Sequence, residues 1–288
     1  MSCWLRTPGE PAWIMGVLNC TPDSFSDGGN FVADTVNAGV DIDIDAAVQH
    51  ALMMRDQGAV MIDVGGESTR PGANPVSVDE ELARVIPVIR ALSTYNMNIS
   101  IDTTKAEVMR QAVAAGASMI NDVSALSDDP DALSVVADTG VDVCLMHKQG
   151  MPKTMQDNPA YRDVVSEVKD YLGMRIEACL QAGISETSIL IDPGIGFGKR
   201  LGDNLALIAS IETFKKAFGL PVLMGVSRKS FLGMITGSDA QSREIETAAA
   251  VSACIFNGCD GVRVHDIASQ SKAVAVGSAL RDAHLGLS

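Results

Sequence analysis

The stretch Trp13–Gly29, WIMGVLNCTPDSFSDGG, changes character at Asn19. Up to Leu18 it is apolar and strand-length. From Asn19 onward it is Pro, Gly, Asp and Ser, with a single aromatic, Phe25. This is the pattern of a strand buried on both faces that delivers the chain into a working loop. The same switch recurs after Val60–Val64, Ile99–Ile101, Ser118–Ile120, Val141–Met146, Ile189–Ile191, Pro221–Val226 and Gly261–Val264. Most of these runs are rich in Val and Ile and read as strands.

Between the runs lie segments with helical spacing. Ala46, Ala47, His50, Ala51 and Met54 fall on one face, as do Leu82, Val85, Ile86 and Ile89, and Val164, Val165, Val168, Tyr171 and Leu172. Ser77 stands three residues before Glu80, the spacing of a capping box, and Asp79, Glu80 and Glu81 put acid in that first turn. Eight strands alternating with helices predict parallel βα units, and eight units in about 250 residues fit a (β/α)8 TIM barrel. An open doubly wound sheet is the alternative, weakened by the missing Gly-rich signature after the first strand. No low-complexity linker or charge block divides the chain, so a single domain over residues 1–288 is expected. The connection from His147 to about Asn158 reads as a functional loop within it.

Composition narrows the function. The chain has 288 residues, 47% of them hydrophobic, enough for a large core. Its formal net charge is −14, which argues against nucleic acid and against an anionic membrane surface as partners. Only three Tyr and two Trp are present, too few for a base-stacking platform. No apolar run has the length of a membrane span, and the N-terminus lacks a signal pattern. The cysteines at 3, 20, 144, 179, 254 and 259 form no CxxC pair and suggest free thiols in a reducing cytoplasm.

Every strand-like run ends on polar chemistry: Asn19; Asp63 and Glu67; Asp102; Asn121 and Asp122; His147; Asp192; Ser227, Arg228 and Lys229; Arg263 and His265. In a barrel these ends converge on one mouth, where such folds keep their active sites. Any single Asp or Asn there also suits a helix cap, and a structural cap is the competing reading for Asp63. Asp102, Asn121 and Asp192 suit a flat heterocycle carrying several N–H groups. Arg70, Arg228, Lys229, Arg263 and His265 suit a phosphate or carboxylate. Pairing of Arg228 or Arg263 with a neighbouring carboxylate, such as Asp266, is the plainer alternative. No His/Cys pair has zinc-ligand spacing, whereas a hard cation held by Asn19 and phosphate oxygens fits the pattern.

With these residues in view, the chain resembles the dihydropteroate synthase family. The resemblance rests on GVLNCTPDSFSDGG, IDVGGESTRPGA, SIDTTK, INDVSAL, LMHKQGMPKTMQ, IDPGIGFGK, VSRKSFLG and RVHD, colinear from about Ile14 to the C-terminal helix. The resemblance implies a homodimeric TIM barrel joining 6-hydroxymethyl-7,8-dihydropterin diphosphate to 4-aminobenzoate, with release of diphosphate and 7,8-dihydropteroate. It implies that Asp102, Asn121, Asp192 and Lys229 hold the pterin, with Met146 lining the slot. Arg263 packs on the pterin face and, with Val264 and His265, meets the diphosphate. Asn19 binds diphosphate and Mg2+. Ser68, Thr69, Arg70, Pro71 and Ser227 shape the aminobenzoate site, and Thr69 also borders the pterin diphosphate.

The opening loop is then a lid. Phe25 offers an apolar plate to the aminobenzoate ring, and Asp23 orders the closed lid and favours positive charge on the pterin. The implied mechanism is SN1-like: diphosphate leaves first, aided by Arg263, His265 and Mg2+, and the amine then attacks. Asp23, Lys229, Arg263 and His265 are the catalytic candidates, and no covalent nucleophile is expected. The intact STRPGA segment implies sensitivity to sulfonamides. Departures are small: Cys20 stands where Val is usual, residues 32–43 run slightly long, and the segment before Trp13 is poorly matched. A pterin-dependent methyltransferase barrel and a catalytically silent pterin-binding paralogue are the competing readings.

Overall fold

The computed structural model describes residues 2–21, 42–68, 73–151 and 153–287. The expected positions Asp23, Phe25, Thr69, Arg70 and Pro71 lie outside them. Eight parallel strands are present: β1 (Trp13–Asn19), β2 (Met61–Gly65), β3 (Ile99–Asp102), β4 (Met119–Asp122), β5 (Asp142–Met146), β6 (Ile189–Asp192), β7 (Leu223–Met224) and β8 (Gly261–Val264). They pair in the order β6-β5-β4-β3-β2-β1-β8-β7, and a bridge between Ile191 and Val222 links the two ends. The sheet is therefore a barrel, as the alternation of runs predicts, and not a doubly wound open sheet.

Helices follow the strands: α1 (Ile44–Asp56), α2 (Val78–Ser93), α3 (Ala106–Ala115), α4 (Ala132–Thr139) and α5 (Val164–Gln181). After β6 come α6 (Leu201–Ala209) and α7 (Ile211–Phe218). After β7 come α8 (Ser230–Thr236) and α9 (Glu244–Phe256), and α10 (Ile267–His284) closes the ring. The predicted apolar faces are the inward ones, with Val85, Ile86 and Ile89 buried on α2 and Val164, Val168 and Leu172 on α5. On α1 the buried stripe is Ala47, Val48, Ala51 and Met54, so His50 lies at its edge. Ser77 Oγ accepts from the Glu80 N–H at 3.2 Å, which is one half of the expected capping box. The Glu80 carboxylate turns instead to Arg84, an i,i+4 pair.

Strand alternation splits the core in two. One set of side chains packs outward against the helices in a continuous apolar shell. The other points into the barrel, where Met15, Met61, Met119, Cys144, Leu190 and Leu223 form one dry layer. The next inward position toward the mouth lies two residues further along each strand. It brings in Asp63 after Met61, Asn121 after Met119, Met146 after Cys144 and Asp192 after Leu190. The barrel thus carries a polar layer stacked directly on an apolar one.

The residues before Trp13 seal the opposite end. Trp4 and Trp13 pack with ring centroids 5.0 Å apart and close the apolar layer from below. Trp4 Nε1 donates to Asp142 at 2.7 Å, and Arg6 Nη2 bonds Asp282 at 2.6 Å on α10. The segment that matches the family poorly is therefore a structural plug. Trp4→Ala is expected to lower unfolding free energy by about 2 kcal/mol, read from urea denaturation, with turnover per folded molecule unchanged.

Candidate active site

The polar layer is built around one guanidinium. Arg263 reaches across the barrel from β8. Its Nε donates to Asp63 Oδ2 at 2.6 Å, and its Nη2 donates to Asp102 Oδ2 at 2.7 Å. Asp63 Oδ2 also accepts from Asn121 Nδ2 at 2.9 Å. Asp102 and Asn121 are register neighbours across β3 and β4, and Met146 and Asp192 are neighbours across β5 and β6. The sheet register therefore sets the predicted pterin-facing groups side by side. Asp102, Asn121, Met146 and Asp192 are all buried at the floor of the mouth.

Asp63 is not a helix cap. It is fully buried, it anchors both Arg263 and Asn121, and its Oδ1 has no partner. Nor does Arg263 pair with Asp266, which caps α10 through the Ser269 N–H. Arg228 does pair with a neighbouring carboxylate, Glu244, to which its Nε donates at 2.7 Å. Of the strand-end acids, Asp122 is structural: its carboxylate accepts from the Ser124 and Leu126 N–H groups and from the Ser124 hydroxyl.

The opposite wall is the loop after β6. Asp192 Oδ1 accepts from the Gly194 N–H at 2.7 Å. Lys229, the residue before α8, lays its ammonium 4.1 Å from the centre of the Phe197 ring. Phe197 packs with Met146, Val123 and Met155, giving the slot an apolar side. Ser227 is buried, and its Oγ lies 3.0 Å from His265 Nδ1, placing His265 beside the start of α8. Val264 alternates outward, so its side chain is buried in the apolar shell and only its main chain faces the mouth. Asn19 ends β1 in register with Gly65, and Ser68 follows β2. Sequence reasoning missed Phe197 and Lys199, and it named Asp63 as a strand end without its role as anchor of Arg263 and Asn121. Asp63 was legible from strand parity, two residues beyond Met61.

Burial pushes the Asp102 carboxyl up against the pull of Arg263, and Asp63 adds to the rise. Burial raises Asp192 as well, opposed by the Gly194 N–H and by Lys229. Burial pulls the Lys229 ammonium down to about 8, with Asp192 holding it up. The mouth thus pairs acceptors that gain from a hydrogen-bonding, electron-poor ring with cations placed to meet an anion.

A family model described as pterin binding enzyme matches residues 15–265. The dihydropteroate synthase of Escherichia coli (strain K12) is 47% identical over 264 residues, covering 91% of this chain and 89% of that protein. The chain belongs to the dihydropteroate synthase family. A Yersinia pestis dihydropteroate synthase solved in complex with a sulfonamide drug superposes with a TM-score of 0.87 at 41% identity, with 98% of each chain covered. A Xanthomonas albilineans dihydropteroate synthase solved with 4-aminobenzoic acid gives 0.84 at 46% identity, with 94% of each chain covered. Dihydropteroate synthases are transferases, and this chain is a transferase making dihydropteroate for folate biosynthesis.

Lys229 carries its charge below about pH 8 and loses it above. Affinity for 6-hydroxymethylpterin, read by calorimetry, is therefore expected to fall as pH rises through about 8. In Lys229→Arg the fall moves to higher pH. An unchanged basic limb in that variant excludes Lys229 as the titrating group.

Proposed function

We propose that the mouth binds 6-hydroxymethyl-7,8-dihydropterin diphosphate with its ring on the polar layer and its diphosphate under Arg263 and His265, and that the bond to diphosphate breaks before 4-aminobenzoate attacks. The arrangement of Arg263 supports this reading. Its guanidinium lies at the boundary between the buried acceptors and the open mouth, within reach of a ring below and an anion above. Asp102, Asn121 and Asp192 orient the pterin through its ring N–H groups, and Lys229 donates to a ring acceptor. As the C–O bond lengthens, negative charge grows on the diphosphate and positive charge on the pterin methylene. Arg263 and His265 favour the first, and the carboxylates of Asp102 and Asp192 favour the second. The amine of 4-aminobenzoate then forms the new C–N bond and releases a proton. This mechanism uses no covalent enzyme intermediate.

Mg2+ fits this reading as a cofactor. Among the described residues no cluster of three His, Cys, Asp or Glu could hold a metal. Asn19 offers one neutral oxygen donor at the end of β1, which suits a cation held chiefly by substrate phosphate and water. Bound there, Mg2+ would neutralise charge on the leaving diphosphate.

We also propose a homodimer. Ile245, Ala249, Ala253 and Phe256 follow one another along the exposed face of α9, and Val276 and Leu280 extend the patch on α10. Ile245 is 83% exposed, so a second copy covering this face would remove a sizeable apolar patch from water. No helix among the described residues is long and apolar enough to cross a membrane. Five of the six free thiols are buried, in keeping with a cytoplasmic enzyme. The buried Cys20 is pushed up to about 12, so it acts as a small apolar side chain.

Purified protein given pterin diphosphate and labelled 4-aminobenzoate is expected to form dihydropteroate and diphosphate in equal amounts and only with Mg2+. Sulfonamides should compete with aminobenzoate. Pterin binding without turnover would instead favour the silent paralogue. In sedimentation the protein is expected at twice the 30.2 kDa chain mass, with Ile245→Asp shifting it toward monomer.

A further inference from the structure

Behind the pterin-facing wall lies a buried lysine that the mechanism above does not use. Lys199 begins the turn into α6 and is 2% exposed. Its Nζ lies 2.9 Å from His147 Nδ1, 3.1 Å from the Phe197 carbonyl and 3.3 Å from the His147 carbonyl. Burial pulls the His147 imidazole down to about 3, so the ring is neutral at working pH. Its Nδ1 can then accept, with the ring proton on Nε2. Three acceptors surround Nζ, matching the three donors of an ammonium.

The two loops joined by this contact are pressed backbone to backbone. Gly194 has φ +75°, and a Cβ there would meet the His147 carbonyl oxygen at 1.9 Å. Gly198 has φ +63°, and a Cβ there would meet the Gln149 carbonyl oxygen at 2.3 Å. Only glycine permits both approaches. Tyr161 OH closes the same seam by donating to the Gly198 carbonyl at 2.8 Å.

This loop carries Asp192, through the Gly194 N–H, and the Phe197 ring beneath Lys229. Charges bearing on Asp192 come from several elements: Lys199 behind it, Lys229 before α8 and Arg263 on β8. Asp192 in turn adds to the rise that burial gives the thiols of Cys144 on β5 and Cys254 on α9. Lys199 is the cation bearing on Asp192 that lies away from the mouth.

We propose that Lys199 is a positioning residue for the pterin substrate: its ammonium pins the β5 and β6 loops together and keeps Asp192 an anion aimed into the mouth. A buried ammonium is costly unless matched by acceptors and an opposite charge, and here the loops supply the first and Asp192 the second. Burial, with Lys229 adding to it, pulls Lys199 down to about 7, while Asp192 and Asp203 on α6 oppose the fall. Lys199 therefore carries its charge at pH values below about 7. Removing it raises the pH at which Asp192 ionises, and a protonated Asp192 is a poorer acceptor for the ring N–H groups.

The inference rests on the pterin reading, which wild-type turnover tests on its own. Three variants separate pin from charge. Lys199→Met removes both, Lys199→Gln keeps N–H donors without charge, and Lys199→Arg keeps charge. For Lys199→Met the KM for pterin diphosphate is expected to rise at least about tenfold, the loss typical of hydrogen bonds to a charged group. The KM for 4-aminobenzoate should stay within about twofold, because that ring does not touch the Lys199 loop in this reading. The acid limb of kcat/KM should move up by about one pH unit in Lys199→Met and Lys199→Gln and remain in place in Lys199→Arg. Calorimetric affinity for 6-hydroxymethylpterin should follow the same limb. An acid limb that coincides with wild type in the uncharged variants overturns the proposal, as does an equal rise in both KM values. If Lys199→Met does not fold, Lys199→Gln decides between the same two outcomes.

Discussion

The site depends on one shared cation. Arg263 enters the barrel from β8 and is divided between Asp63 on β2 and Asp102 on β3. Two buried carboxylates facing each other across a barrel would repel strongly in a medium of low polarity. The guanidinium between them converts that repulsion into a bridge across three strands. Asn121 joins through Asp63, so a fourth strand is tied to the same centre. The network stabilises the barrel only when complete, since removing one partner leaves an unmatched buried charge. Its value is positional. It fixes the acceptors that a flat heterocycle requires while leaving one face of the guanidinium toward the mouth.

The apolar layer below makes this arrangement possible. Met15, Met61 and Met119, with Cys144, Leu190 and Leu223, fill the barrel beneath the charges, and Trp4 and Trp13 close it. Water is kept from the underside of the polar layer, so its charges act in a dry and rigid setting. On the far wall the loops after β5 and β6 do the equivalent work through glycine contacts and a buried lysine. The chain is strongly acidic as a whole, with a formal net charge of −14. An anion entering the mouth would therefore meet a local positive field from Arg263 and Lys229 and not the protein at large.

Much of this was legible in the sequence because the barrel imposes a simple rule. Strands buried on both faces read as continuous apolar runs, and the residue that ends each run faces the mouth. That rule placed Asn19, Asp102, Asn121, Asp192 and Arg263 correctly relative to the strands, with only shifts of one or two residues and a β7 reduced to Leu223–Met224. It failed where side-chain parity matters more than position. Asp63 lies inside β2 and looked like a cap, but parity with Met61 turns it inward. Val264 lies between Arg263 and His265 in sequence, yet parity turns its side chain outward. Lys199 was invisible for another reason: its partners, His147 and Phe197, come together only when two loops pack. The pairing of Arg228 with Glu244 is likewise set by how α9 lies against the start of α8, which no local pattern encodes.

The most direct test of the shared-cation account is a double-mutant cycle on unfolding free energy, using Asp63→Asn, Arg263→Gln and the two combined. The account predicts that each single variant loses about 3 kcal/mol, because each breaks the buried Arg263–Asp63 pair. The pair together should lose no more than the costlier single change, a coupling of about 3 kcal/mol. Losses that add to within about 0.5 kcal/mol would show that Arg263 and Asp63 act independently, and the bridge would then not be what holds the mouth together.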